Sequence, residues 1–386
     1  MREGFADATS GWRWWAIWLG AVASFAFASA MGISLTWDGS YYLFSTLQND
    51  RPMIPHGRLG NLPILVPLHA AGAHFDSPMT LAILYGMLWA VLPLGSLAVA
   101  FCMLSGETRV LRLWAVMGIL IAPLPGQICI TMEATPVLQL FWLPFAWLLA
   151  GARLAWIPVV AVASLWMFYL HPAAMFLFGI LALAASTKAL LDGTRQLVYG
   201  IAAGAFLSLT ILKLQMTLAA ATDYERSQMS LAAAVEQLGA AVFTTHLPLV
   251  ALLIVGVGLW VFRRSALRGG IAIVVVVALL LAIAFSIPPG WSGALNYRKF
   301  GAFVEAPIAL LAVWHALQIR GAVPIVPGST GLPKESDALQ AAVFASACFA
   351  IALCGSALSW RLILTKFDRT IAESASSVLN NSVTQY

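Results

Sequence analysis

Charged residues are scarce in this sequence: Asp, Glu, Lys and Arg together make up 10% of its 386 residues. A soluble chain carries about 25% charged residues, so a water-facing surface cannot be built here. A disordered chain is excluded as well, because 61% of the residues are hydrophobic. Cysteine is also scarce, and three of the four cysteines lie in apolar runs, so no disulfide is expected.

Long apolar runs are what the sequence has instead, and its mean hydropathy is +0.88. Several runs reach the roughly 20 residues that a membrane-spanning helix needs, whereas a transmembrane barrel would show shorter segments of alternating hydrophobicity. The sequence therefore predicts an all-α fold, a polytopic transmembrane helical bundle in which residues 1–386 form one domain. The net charge of +5 then reports topology, so no nucleic acid is expected as a partner.

The apolar runs predict about eleven helices, several of them interrupted by proline. Proline ends or kinks a helix, and the prolines between 111 and 190 divide that part of the chain into short helices. The predicted helices cover residues 12–35, 79–104, 111–124, 136–150, 154–170, 172–190, 196–218, 246–262, 269–287, 303–318 and 338–358.

The basic residues predict which ends of these helices face the cytoplasm. The loop 263–268 carries three arginines in six residues, and short basic loops stay inside. With the N-terminus also inside, the longer connections 36–78, 219–245 and 288–302 fall outside, as does the tail 359–386. Long loops carry function more often than short ones, so the working face is expected to be extracytoplasmic.

The first of these loops, at 36–78, is the most informative part of the sequence. Its start, to Leu47, suits a helix lying on the membrane with Tyr42 and Phe44 toward the lipid, and Leu62–Ala71 is a second candidate surface helix. Asp38 follows the first predicted helix directly. It is either the N-cap of the surface helix or a general base at the lip of a cavity, and one aspartate can do both.

An acidic residue directly after the first helix, followed by a surface helix with aromatic residues, resembles the GT-C superfamily of membrane glycosyltransferases. This superfamily includes protein O-mannosyltransferases and the aminoarabinose transferase of lipid A. The helix count and the cytoplasmic N-terminus are similar too. The resemblance covers residues 1–75 in pattern and the rest in architecture. The sequence departs from it at Gly39, where many members have a second acid.

The resemblance implies transfer of a sugar, with inversion, from a polyprenyl-phosphate donor to a lipid, glycan or protein acceptor outside a bacterial inner membrane. The chemistry needs a carboxylate that takes the proton of the acceptor hydroxyl, cations that stabilise the departing phosphate, and an apolar groove for the lipid tail. Asp38 is the candidate base. A divalent metal ion is the one cofactor left open.

Cations in the external loops are the candidates for binding the phosphate. Tyr297, Arg298 and Lys299 form one group, in which arginine offers a bidentate fork to phosphate. The alternative is an anchor that contacts lipid headgroups only. Arg58 is a further candidate for binding the phosphate. The alternative is that Arg58 is an ordinary loop residue that water solvates.

Two other residues stand out at predicted helix boundaries. Glu133 is an isolated acid that either caps the next helix or, as the resemblance implies, orients the acceptor or binds a metal. His171 lies in a tight turn, where it either donates to a phosphate or acceptor oxygen or is a satisfied boundary histidine. The histidines of the first loop fit no zinc spacing, so no metal site is predicted.

Two alternative functions remain open on the sequence. A transporter or flippase is disfavoured because no acid or base is predicted at the middle of a helix. Lys213 is the nearest exception, and it is expected to snorkel outwards. Glu305 is placed near the outer end of its helix, as an ion-pair partner of Arg298 or Lys299. A non-catalytic protein of envelope-polysaccharide assembly would tolerate the loss of Asp38.

Overall fold

The structure is a computed structural model. It describes residues 2–36, 38–49, 51–52, 54, 58–123, 134–192, 195–220, 292–322 and 334–383. Within these ranges the chain is all-helical and contains no strand, so the predicted all-α fold is confirmed there. The helices predicted at 246–262 and 269–287 lie outside the described residues.

Eleven α-helices are described, and one continues into a π-helical turn at Met117–Ile121. Their bounds are α1 Arg2–Ala30, α2 Asp38–Gln48, α3 Leu62–Gly72, α4 Pro78–Met103, α5 Arg112–Val116, α6 Ala134–Leu149, α7 Ile157–Leu170, α8 Ala174–Leu191, α9 Gln196–Ala220, α10 Ser292–Ile319 and α11 Glu335–Val383.

Four described helices are long and apolar enough to cross a membrane. They are Pro78–Met103, Ala174–Leu191, Gln196–Ala219 and Glu335–Lys366. The start of α4 is fixed by an N-cap. The Ser77 side chain accepts a hydrogen bond from the Thr80 amide at 3.3 Å, and Pro78 follows as the first helical residue. These spans fit a membrane protein, and the total of eleven spans stays a prediction.

Small residues bring the first and last helices together. On α1, Ala21 and Ala28 are fully buried, and α11 presents a matching row of buried alanines. Alanine lets two helix backbones approach closely, which supplies packing where lipid offers no hydrophobic driving force. The buried alanines of α11 include Ala341, Ala342, Ala345 and Ala352.

The bundle has two ends, which are fixed by contacts between loops and helix termini. The α2–α3 end holds those two helices, and there the Trp360 indole donates to the Gly32 carbonyl at 2.9 Å. At the opposite end, called the Arg320 end after the residue that follows α10, the Trp14 indole donates to Glu335 at 3.2 Å. Helix α11 therefore runs from the Arg320 end to the α2–α3 end.

Candidate functional site

Helices α2 and α3 pack on each other at one end of the bundle. The side chain of His69 in α3 lies 2.8 Å from the Thr46 carbonyl of α2. Tyr42 is 3% exposed, so it packs against the protein, whereas Tyr41 and Phe44 are 59% and 63% exposed. The predicted lipid-facing position of Tyr42 is therefore wrong, because α2 turns one face toward its neighbours. Asp38 is the first residue of α2, and its side chain lies outside the described part.

The turn at 58–61 holds this end against the C-terminal end of α7. The Trp166 indole donates to the Gly60 carbonyl at 2.7 Å. A Cβ added at Gly60 would lie 2.7 Å from the Leu170 Cα, so the two backbones touch and only glycine fits. This contact brings the half-buried Arg58 near the turn that contains His171.

A lysine that is absent from the predicted site lies at the same place. Lys213 of α9 donates to the Phe168 carbonyl at 2.5 Å and lies 5.1 Å from the Phe168 ring centroid. The positive charge of Arg58 lies close enough to repel that of Lys213. His171 accepts a hydrogen bond from the Ala173 amide at 3.1 Å, which is what a boundary histidine does. The structure therefore gathers Arg58, His171 and Lys213 at the α2–α3 end.

The remaining predicted site residues are described less fully. Tyr297, Arg298 and Lys299 lie in the first half of α10, which begins at Ser292, so the chain there is helical where the sequence predicted a loop. Their side chains lie outside the described part of the chain. Glu133 also lies outside the described residues.

An acid that the sequence placed near the end of a helix lies in its middle. Helix α10 has 28 residues, and Glu305 falls halfway along it because the helix begins 11 residues before the predicted start at 303. The side chain of Glu305 is fully buried. Its Oε2 accepts a hydrogen bond from the Trp142 indole at 3.0 Å, and its Oε1 has no hydrogen-bond partner among the described residues. Burying a carboxyl group in such surroundings costs free energy, and acids found there are often functional.

The backbone beneath Trp142 has an unusual form. Residues Met117–Ile121 form a π-helical turn, and a Cβ added at Gly118 would lie 1.8 Å from the Trp142 ring. The Ile119 carbonyl of this turn accepts a hydrogen bond from Gln139 at 3.4 Å. Single π turns occur frequently at functional sites. At Gly118 the Trp142 ring lies directly against the backbone of the π turn. In that position its indole N–H donates to Glu305.

A second tryptophan–acceptor pair lies further along α10. The indole of Trp114 donates to His315 Nδ1 at 3.1 Å, and the histidine is fully buried. Because Nδ1 accepts, a neutral His315 carries its proton on Nε2. Together with Glu305 and Trp142, these residues form the α10 polar seam. The sequence signal for this group was two ionisable residues inside the predicted helix 303–318, but the predicted start at 303 placed Glu305 near the helix end.

Among the described residues, no group of three His, Cys, Asp or Glu side chains is placed to hold a metal ion. Comparison with protein-family models, curated proteins and solved structures finds no match for the chain.

Proposed function

We propose that the chain is a membrane glycosyltransferase that moves a sugar from a polyprenyl-phosphate donor to an acceptor on the extracytoplasmic face. One observation carries the proposal. The contact between Gly60 and Leu170 gathers the helix that begins at Asp38, the cation Arg58, and the turn of His171 at one end of the bundle. A carboxylate and cations at one face of the membrane are what this transfer needs.

In the proposed reaction, the acceptor hydroxyl oxygen forms a bond to the anomeric carbon of the sugar while the bond from that carbon to the phosphate oxygen breaks. Asp38 takes the hydroxyl proton. The departing polyprenyl phosphate keeps the electron pair, and Arg58, Arg298 and Lys299 offset its negative charge. Glu133 orients the acceptor, or holds a divalent metal ion if the reaction uses one.

The donor's lipid tail needs an apolar surface next to these cations. Helix α9 supplies one, because Leu207, Ile211 and Leu214 are exposed along it and Lys213 lies among them. A polyprenyl chain lying along α9 would place its phosphate near Lys213 and Arg58. In this arrangement the protein resides in the bacterial inner membrane, with its N-terminus in the cytoplasm.

The test compares two carboxylates of the first loop in the full-length protein, reconstituted in liposomes with radiolabelled polyprenyl-phosphate hexoses. Asn caps a helix about as well as Asp, so Asp38→Asn should keep the melting temperature. Loss of a general base should lower sugar transfer roughly 10²- to 10⁴-fold. The exposed Asp76 is the matched control, and Asp76→Asn should transfer at the wild-type rate. Wild-type activity in Asp38→Asn would contradict the proposal.

A transporter is the second candidate function, and Glu305 is the observation that favours it. Ionisable residues buried inside a helical membrane bundle mark ion and proton pathways in transport proteins. The π turn next to Trp142 provides irregular backbone at the same depth. Two substitutions distinguish the two candidate functions. Glu305→Gln should abolish transport but leave sugar transfer, whereas Asp38→Asn should abolish sugar transfer but leave transport.

A further inference from the structure

The Arg320 end of the bundle contains an ion pair between a buried acid and a partly exposed arginine, with further positive charge beside it. Asp192, which follows α8, is 4% exposed and forms an ion pair with Arg320. The same guanidinium donates to the Tyr199 hydroxyl at 3.4 Å. This pair ties the end of α10 to the connection between α8 and α9.

Lys188 adds a second cation behind that pair. It lies one turn before Asp192 and is fully buried, and its Nζ has no hydrogen-bond partner in the ranges that the structure describes. Its described neighbour is the ring of Tyr199, 5.3 Å away. A buried ammonium group is costly unless an anion compensates it, and Asp192, the acid whose charge acts on Lys188, is already paired with Arg320. An additional anion near this cluster would stabilise it.

A cleft at the same end has room for such an anion. One cavity of about 730 Å³ is lined by Arg153, Asp192 and Arg320, with Glu107 as its other acid. A second cavity of about 780 Å³ shares Arg153 and adds Arg195. We call the two together the Arg153 cleft. Their size is that of cavities that hold small-molecule ligands.

The cations of the cleft differ in how they are engaged. Arg195 donates to the carbonyls of Gly151 and Ala152 at 2.9 and 3.3 Å, and Arg320 is held by Asp192. The side chain of Arg153 is exposed. Arg153 therefore offers its guanidinium fork to a ligand, and the other two set the positive potential around it.

Apolar side chains border the cleft and indicate what the anion is attached to. Leu154 and Leu197 line the second cavity and are 65% and 76% exposed, and Leu190 nearby is 80% exposed. A soluble anion gains nothing from exposed leucines, whereas a phospholipid lays its acyl chains on them. Basic pockets between membrane helices on the cytoplasmic side bind anionic headgroups in this way.

We propose that the Arg153 cleft binds the phosphate of an anionic phospholipid, with Arg153 as its direct ligand and the leucines against its acyl chains. The site is separate from the proposed transfer chemistry, since it lies at the opposite end of the bundle. Arg320 stays paired with Asp192, and it and the buried Lys188 attract the phosphate by their charge alone.

The experiment titrates full-length protein in nonionic detergent with short-chain phosphatidylglycerol, phosphatidylcholine or inorganic phosphate. Phosphatidylglycerol should bind at least about tenfold more tightly than phosphatidylcholine. Arg153→Gln should weaken phosphatidylglycerol binding roughly 10- to 100-fold, as expected for loss of a charge-assisted hydrogen bond. Arg13 is the matched control, because it is exposed and does not line the cleft. It lies near the same end, where its neighbour Trp14 donates a hydrogen bond to Glu335. Arg13→Gln should therefore bind phosphatidylglycerol as the wild type does.

Equal binding of the two lipids, or unchanged binding in Arg153→Gln, would overturn the proposal. If inorganic phosphate displaces phosphatidylglycerol and binds as tightly, the cleft is a phosphate site but the lipid is not its ligand. Unchanged melting temperatures in the two arginine variants show that the comparison reports binding and not misfolding.

Discussion

The Trp142 indole and the Glu305 carboxyl share a hydrogen bond of 3.0 Å at the middle of α10, where the acid is fully buried. Within the described part of the chain, Oε1 of the same carboxyl has no hydrogen-bond partner, so there the indole bond is what compensates Glu305. Losing the two partners should cost different amounts of stability. Removing the tryptophan leaves a buried carboxyl group without its hydrogen bond, whereas removing the acid leaves only an indole N–H without an acceptor.

The first prediction follows from that asymmetry. Trp142→Phe should destabilise the protein by about 1–3 kcal/mol through the loss of the bond alone, and further through the smaller ring. In a Glu305→Leu background the same change should cost less, because no buried carboxyl remains to be compensated. Melting temperatures of the four proteins in one detergent measure the coupling. Equal costs in both backgrounds would show that the bond contributes nothing to stability.

A second prediction concerns the glycine beneath the indole. Gly118→Ala would put a Cβ 1.8 Å from the Trp142 ring, so the ring must move away from Glu305. Overpacking of this kind costs about 1–3 kcal/mol. Gly179 in α8 is the matched control, because no atom of the described residues lies within 4 Å of its added Cβ. Gly179→Ala should be neutral or slightly stabilising, since alanine favours helix. A Gly118→Ala protein as stable as the wild type would exclude this packing.

Much of the helical framework could be predicted from the sequence, because a run of about 20 apolar residues leaves few alternatives in a bilayer. The described helices α4 and α9 lie within a few residues of their predicted ranges. The predicted start of α10 at 303 was wrong, because the helix begins at Ser292 and continues through Arg298 and Lys299. Adjacent charges carry no information on whether a helix extends beyond the apolar run.

The π turn and the two tryptophan–acceptor pairs could not be predicted. All five residues of Met117–Ile121 are small or apolar, so their pattern is the same in an α-helix and in a π turn. Which indole reaches which acceptor depends on how α10 packs against its neighbours. Glu305 did carry a signal, as an acid in an apolar run, but its partner Trp142 lies 163 residues away in sequence.

The third prediction tests the arrangement of the two ends in the membrane. The bond from Trp360 to Gly32 places the second half of α11 at the α2–α3 end. In a variant without native cysteines, Asp76→Cys and Asp368→Cys should therefore react with an impermeant maleimide from the same side. Glu107→Cys should react from the other side. All three positions are exposed. Labelling of Asp368→Cys together with Glu107→Cys would contradict the fold, and labelling of the first pair in intact cells would support their external location.

The last prediction tests the contact that gathers the proposed catalytic residues. A Cβ at Gly60 would meet backbone atoms of Leu170 at 2.7 Å, and neither backbone can yield without moving the turn. Gly60→Ala should therefore cost about 1–3 kcal/mol and break the bond from the Trp166 indole.

Gly72→Ala is the control for this change, because its Cβ would meet only the end of the flexible Leu47 side chain, at 2.6 Å. That side chain can rotate away, so the control should lose much less stability. If Asp38 and Arg58 work as a unit, Gly60→Ala should also lower sugar transfer in liposomes at a temperature well below its melting point, while Gly72→Ala should not. Equal transfer rates in the two alanine variants would show that the contact between the 58–61 turn and α7 serves stability alone, and the proposed site would then lose its geometric support.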